Sequence, residues 1–203
     1  MGIYAIKPAF QRSLIGTRDR LVNAGVSADA LTLLALLLSI AGGVCLAISD
    51  RARWTLLIVP LLAMGRITLN ALDGMVAVAA STASPFGEVK NEVADRLSDI
   101  AWFTGLSFAI EPILGMTALV VVLLNSYIGT VSKAAGGPRL YDGIMGKADR
   151  MGLLSIAAPL EFGRVLGLNH LSIFAASVIG MGLVTSVQRL VAARRHLVNK
   201  DAA

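Results

Sequence analysis

Two stretches of this sequence gather polar and ionisable side chains inside otherwise apolar surroundings. Arg66, Asn70, Asp73 and Ala77 recur at steps of three and four residues, and so do Glu88, Asn91, Glu92, Asp95 and Asp99. At about 100° per residue, the first set falls within about 60° of a helix circumference and the second within about 100°. Two such helices joined by a short connection can turn acid and amide faces toward each other. Crowded carboxylates repel unless a cation sits between them, and Asp, Glu and Asn oxygens are hard donors suited to Mg²⁺ or Mn²⁺. An ion held by a couple of carboxylates keeps positions open for phosphate oxygens. Gly74 and Ala77, small and on or beside that face, leave room for a ligand against the helix backbone. The pattern reads as a metal-plus-phosphate site. The structural alternative pairs Arg66 with Asp73 and Asp95 or Asp99 with a base on another helix, and uses the small residues for packing.

The elements that must position these residues are membrane helices. The chain has 203 residues, 56% of them hydrophobic and 15% charged, a balance that leaves no polar shell for a soluble domain. Six apolar segments run over about 28–49, 54–80, 91–110, 113–132, 151–166 and 170–191, the fifth interrupted by Glu161 and Arg164. At about 20 residues per crossing they accommodate six transmembrane helices. Before them, Phe10, Leu14 and Leu21 recur at helical spacing among Arg12, Arg18 and Arg20, with Pro8 suited to a first turn and Gly25 to a stop. This predicts an interfacial amphipathic helix. The expected layout is that helix over 1–27, a six-helix transmembrane domain over 28–192, and a basic cytoplasmic tail over 193–203.

Charge orients the bundle. Thirteen of the eighteen Lys and Arg residues fall before the first segment, between the second and third, between the fourth and fifth, or at the end of the last and beyond it. The positive-inside rule therefore places both termini and the polar site on the cytoplasmic side of the plasma (inner) membrane. The net charge of +5 comes with no aromatic-interleaved basic patch or zinc spacing, so nucleic acid is not an expected partner; membrane lipids are. A single cysteine, Cys45, excludes an intrachain disulfide and a multi-cysteine metal site. His170, at the expected external end of the sixth segment, and His196, in the basic tail, are not read as catalytic.

The stretch Asn70-Ala71-Leu72-Asp73-Gly74-Met75-Val76-Ala77, followed by Gly87, Asn91 and Asp95, resembles the signature of the CDP-alcohol phosphatidyltransferases, D-x2-D-G-x2-A-R, about eight residues, then G-x3-D-x3-D. Asp73, Gly74, Ala77, Gly87 and Asp95 are the expected types at the expected spacing. Ala28-Asp29-Ala30-Leu31-Thr32 resembles a weakened P-N-x2-T segment that opens the first membrane helix in that family. The resemblance implies an all-α integral membrane enzyme, a homodimer, that transfers a phosphatidyl group from a CDP-linked lipid such as CDP-diacylglycerol to a small alcohol acceptor and releases CMP. It implies Asn70, Asp73, Asn91 and Asp95 as ligands of one or two Mg²⁺ or Mn²⁺ ions, Asp95 also as general base, and Thr32, Gly74, Ala77 and Gly87 beside the nucleotide. Gly146-Lys147 resembles the family's entry to its fifth helix. With Lys133, Arg139 and Arg150, Lys147 would bind the phosphate of a phosphorylated acceptor, whereas positive-inside topology alone would also place basic residues there.

This chain also departs from the signature. Asn70 and Asn91 stand where the first and third aspartates belong, and Val78 stands in place of the arginine. An amide oxygen can ligate a metal but brings no charge, so Glu88, Glu92 and Asp99 become possible compensating acids. Two other readings stay open: a relative that binds CDP-lipid or nucleotide without turnover and acts through a partner, and a small transporter.

Overall fold

The computed structural model describes residues 7–141 and 143–201, with side chains from Pro8 to Val198. The first six residues of the expected amphipathic helix and the last two of the expected tail lie outside the described residues.

Among the described residues, eight α-helices follow in chain order: α1 (Lys7–Ser13), α2 (Ile15–Asn23), α3 (Ala28–Ala47), α4 (Val59–Ala79), α5 (Pro85–Ala109), α6 (Pro112–Ala134), α7 (Lys147–Phe162) and α8 (His170–Asp201). Short 3₁₀ turns at Arg53–Leu57 and Val165–Gly167 precede α4 and α8. No strand occurs among the described residues. The chain is an all-α membrane protein. Among the described residues, four helical stretches are long and apolar enough to cross a bilayer: Ala28–Ala47, Arg53–Ala79, Pro112–Ala134 and His170–Val198. α5 falls short of that criterion because its first four turns are rich in charge, and α7 because 16 residues rise only about 24 Å against a core of about 30 Å.

Capping explains where the observed helices outrun the apolar segments. Ser84 accepts a hydrogen bond from Gly87 N at 3.0 Å and Pro85 takes the first turn, so α5 starts six residues before the apolar run. Asp149 accepts from Gly146 N at 3.0 Å, starting α7 at Lys147. α8 continues through the polar residues to Asp201, so the stretch read as a tail is helical as far as it is described. The N-terminal stretch is two helices broken at Leu14 rather than one. Leu14, Leu21 and Val22 pack beside Leu31 of α3 and Leu72 and Val76 of α4.

Two contacts decide how the site is assembled. α3 lies against both α4 and α5, and α7 against α4 and α8. The α3–α5 crossing is made of glycines. A Cβ on Gly105 would sit 2.0 Å from Gly43 O, and one on Gly43 would sit 2.2 Å from Ala101 O. The backbones touch there, as small residues permit in membrane helices. Trp102 covers the crossing from the core, 1% exposed, over Gly42. This close approach sets α5 beside α3, and the polar faces that carry Thr32 and Asp95 lie about three turns from the Gly43–Gly105 contact.

Candidate active site

Asp73 is buried on α4, 3% exposed. Thr32 of α3 donates to its Oδ2 at 3.0 Å, and Gly74 N donates to Oδ1 at 2.5 Å. Across from it on α5, Asp95 Oδ1 receives Asn70 Nδ2 at 3.0 Å and the ammonium of Lys147 from the start of α7. Because a carboxylate only accepts, Asn70 must meet it through its NH₂. Asn91 lies about one turn before Asp95, and its Oδ1 is buried without a hydrogen-bond partner. Four helices thus bring Thr32, Asn70, Asp73, Asp95 and Lys147 to one place.

Gly74 is exposed beside Asp73, and a Cβ built there would meet nothing within 4 Å. The chain's own packing gives no reason for a glycine at this position, so the space is available to a ligand. Ala77 is half-buried one turn on, and Val78 points outward, 72% exposed. Gly87 serves the α5 cap, where a Cβ would press on Ser84 Oγ at 3.2 Å.

The three acids read as possible compensation do not face Asp73; each is taken up by a base. The four acids of α5 meet the four predicted phosphate-binding bases in chain order. Glu88 is held by Lys133 at 2.5 Å, Glu92 by Arg139, Asp95 by Lys147, and Asp99 by Arg150 at 3.5 Å. The Lys133 hydrogen bond holds the Glu88 carboxyl below its ordinary range. Among the described residues, no three His, Cys, Asp or Glu side chains converge as a metal-binding group. The physical reason is the sequence of the motif itself: amides stand at two of its four positions, and the neighbouring acids are drawn to α6, α7 and the loop between them.

The structural alternative holds for Asp95 and Asp99, each paired with a base on another helix, but not for Arg66 with Asp73. Arg66 pairs with Asp99 at 2.8 Å, both side chains fully buried, and not with Asp73. It also reaches Asp95 O at 3.4 Å and Met151 Sδ at 3.5 Å. Arg96, not read as part of the site, touches Glu92 and Asp99 at 3.5 Å each. Its spacing to both acids, four and three residues, was the signal available. Asp29 of α3 is joined by Lys90 of α5, a second tie between those helices that no local pattern announces.

Compared with known proteins, the chain is 35% identical to Inner membrane protein YnbA of Escherichia coli (strain K12) over 152 residues, 74% of this chain and 75% of that one. It is 27% identical to the phosphatidylinositol phosphate synthase of Streptomyces avermitilis over 207 residues, 96% of this chain and 83% of that one. It is 26% identical to the archaetidylinositol phosphate synthase of Pyrococcus horikoshii over 202 residues, 95% of this chain and 96% of that one. Among solved structures, Mycobacterium tuberculosis phosphatidylinositol phosphate synthase in complex with manganese and citrate superposes with a TM-score of 0.74 at 24% identity, covering 88% of this chain and 87% of that one. The same enzyme with CDP-DAG bound gives 0.74 and 24%, covering 88% and 92%. No protein-family model matches the chain.

Proposed function

The chain belongs to the CDP-alcohol phosphatidyltransferase family, and on that premise we propose that it transfers a phosphatidyl group from a CDP-linked lipid to an alcohol, releasing CMP. The observation that carries this reading is Asp73, fixed by Thr32 and the Gly74 amide one turn from Asn70, whose amide joins Asp95 across α4 and α5, beside a glycine with open space above it. The related enzyme from Mycobacterium tuberculosis is known with CDP-DAG and, separately, with manganese.

The residues present fit a hard divalent ion. Asp73 and Asp95 supply carboxylates from facing helices, and Asn91 Oδ1 is a buried acceptor that nothing in the chain satisfies. Asn70 is turned toward Asp95 by its NH₂ and would have to rotate to ligate. Bound Mg²⁺ or Mn²⁺ would neutralise charge on the diphosphate and on departing CMP. The chain's own residues do the rest. Thr32 and the Gly74 amide fix the Asp73 carboxylate, and Gly74, Ala77 and Gly87 leave room for the nucleotide. Asp95 takes the proton from the acceptor hydroxyl as its oxygen attacks the lipid-linked phosphorus, and the bond to the CMP oxygen breaks. Lys147 and Asn70 hold Asp95 in place for that transfer. Lys133, Arg139, Lys147 and Arg150 border the acceptor side, and a phosphorylated acceptor exchanges there with Glu88 and Glu92, the exposed end of the ladder.

The same reading takes α5 and α7 as membrane crossings, giving six. It lays residues 1–27 in the interface, the catalytic domain over 28–192 and the basic segment 193–203 in the cytoplasm, and it has the protein act as a homodimer. A second reading, CDP-lipid binding without turnover, is favoured by Asn70, Asn91 and the Lys147 contact on Asp95. The deciding assay is CMP release from CDP-diacylglycerol with Mn²⁺ over a panel of alcohols, with Asp95→Asn as control. Acceptor-dependent release lost in the variant supports transfer; CDP-lipid binding with no release from any acceptor supports the second reading.

A further inference from the structure

We propose that Glu88 and Glu92 act as a built-in competitor on the acceptor side of the site: their carboxylates rest on Lys133 and Arg139 in the seat of an acceptor's phosphate, which binds only by displacing them. The inference rests on the transferase reading and names the residues that set its acceptor affinity.

The two acids stand one turn apart on α5, so both point the same way. Lys133, in the last turn of α6, donates to both oxygens of Glu88, at 2.5 Å and 2.6 Å. Arg139 pairs with Glu92 and reaches Glu88 at 3.7 Å. Two neighbouring bases thus carry two neighbouring carboxylates. A phosphate monoester offers the same donors a charge of about −1.5 to −2 and three acceptor oxygens, so one such group replaces the pair with little change in local charge. The family signature leaves positions 88 and 92 open, so the pattern by itself gives no reason for an acid at either one.

Exposure decides which pairs can exchange. The Glu88 side chain is 45% exposed and that of Lys133 50%, so water screens the pair and solvates both ions when they separate. Glu92 has a second place to go: Arg96 stands 3.5 Å away on its own helix, and Thr130 Oγ1 also lies at 3.5 Å. Asp99, at the far end of the same face, is fully buried with Arg66, and parting them would strand charge. Exchange is therefore confined to the outer two acids.

The bases keep their places without the acids. Arg139 lies over the Tyr141 ring, 4.7 Å from its centroid. The loop that carries it is tied to α6 by Ser132 Oγ donating to Pro138 O at 2.9 Å, and to α8 by Arg189 Nη2 donating to Tyr141 O at 2.9 Å. Neutralising Glu88 and Glu92 opens the seat rather than dispersing it. The sign of the effect follows. Acids that merely positioned the bases would weaken phosphate binding when lost; competing acids strengthen it.

The test is calorimetric titration of inorganic phosphate and of glycerol 3-phosphate into the purified full chain in detergent, at an ionic strength of about 0.15 M to screen distant charges. The double variant Glu88→Gln, Glu92→Gln is expected to bind both probes about tenfold tighter than the unaltered chain, on the scale of two exposed ion pairs. Glu88→Gln alone moves the same way by less, and carries the test by itself if the double variant fails to fold. Adding Lys133→Gln and Arg139→Gln to the double variant is expected to remove the gain. Asp29→Asn, which takes a negative charge from α3 without freeing Lys133 or Arg139, is expected to leave phosphate affinity unchanged. Unchanged or weaker phosphate binding on loss of the acids overturns the inference, and so does a gain that survives loss of the two bases or is matched by Asp29→Asn. CMP release measured on the same preparations keeps the two claims apart. Acceptor-dependent release alongside unchanged phosphate affinity sinks only the inference, whereas no release with any acceptor sinks the transferase reading and the inference with it.

Discussion

Removing Asp99 should cost this protein more than removing its closest partner, Arg66, although the two form one ion pair. The pair is fully buried, with 2.8 Å between its atoms. Arg66→Met leaves Asp99 with Arg96 and Arg150, each at 3.5 Å, so the carboxylate keeps counter-charge. Asp99→Asn leaves Arg66 with only neutral acceptors, the new amide oxygen, a backbone carbonyl and a sulfur, and takes from Arg150 the one carboxylate in contact with it among the described residues. Two buried guanidiniums then lack compensation, a situation that costs about 3–5 kcal/mol when a buried pair is broken. Arg66→Met loses hydrogen bonds to charged groups but strands no charge, and about 1.5–3 kcal/mol is expected. The double variant strands one guanidinium fewer than Asp99→Asn, so it should fall short of the sum by about 1–3 kcal/mol. Trp102, three residues beyond Asp99 and 1% exposed, is a built-in reporter. Equilibrium unfolding in mixed micelles of rising dodecyl sulfate fraction, followed by its fluorescence with Trp54 replaced by Phe in all variants, supplies the energies. Equal costs for the two single variants, or an additive double, would refute the reasoning that Asp99 is the shared counter-ion.

Other outcomes follow from the same geometry. Asp95→Asn should lower CMP release by roughly 10²–10⁴-fold, the usual contribution of a positioned base. Gly74→Ala should leave stability unchanged, since its methyl meets nothing within 4 Å, yet weaken CDP-lipid binding measured by thermal shift. Gly105→Ala should destabilise by about 1–3 kcal/mol, because its methyl would lie 2.0 Å from Gly43 O and must push α3 from α5. Thr32→Val should cost about 0.5–1.5 kcal/mol and weaken Mn²⁺ binding measured by calorimetry, by freeing the Asp73 carboxylate it holds at 3.0 Å.

What the residues decided alone were local properties. Apolar runs and their length marked the membrane helices, and steps of three and four put Asn70 with Asp73 and Asn91 with Asp95 on helix faces, since rotation per residue is a property of the backbone. Helix starts were misplaced where a cap recruits polar residues, as Ser84 and Asp149 do. Which charge meets which was decided by tertiary structure. The same α5 face could have sent Glu88, Glu92 and Asp99 toward Asp73; instead they meet Lys133, Arg139 and the Arg66–Arg150 cluster. Lys147 reaches Asp95 across 52 residues and Arg66 reaches Asp99 across 33. A side chain's partner depends on how neighbouring helices cross and turn, and here that is set by the glycine contact between Gly43 and Gly105, whose effect on Asp95 no local spacing encodes.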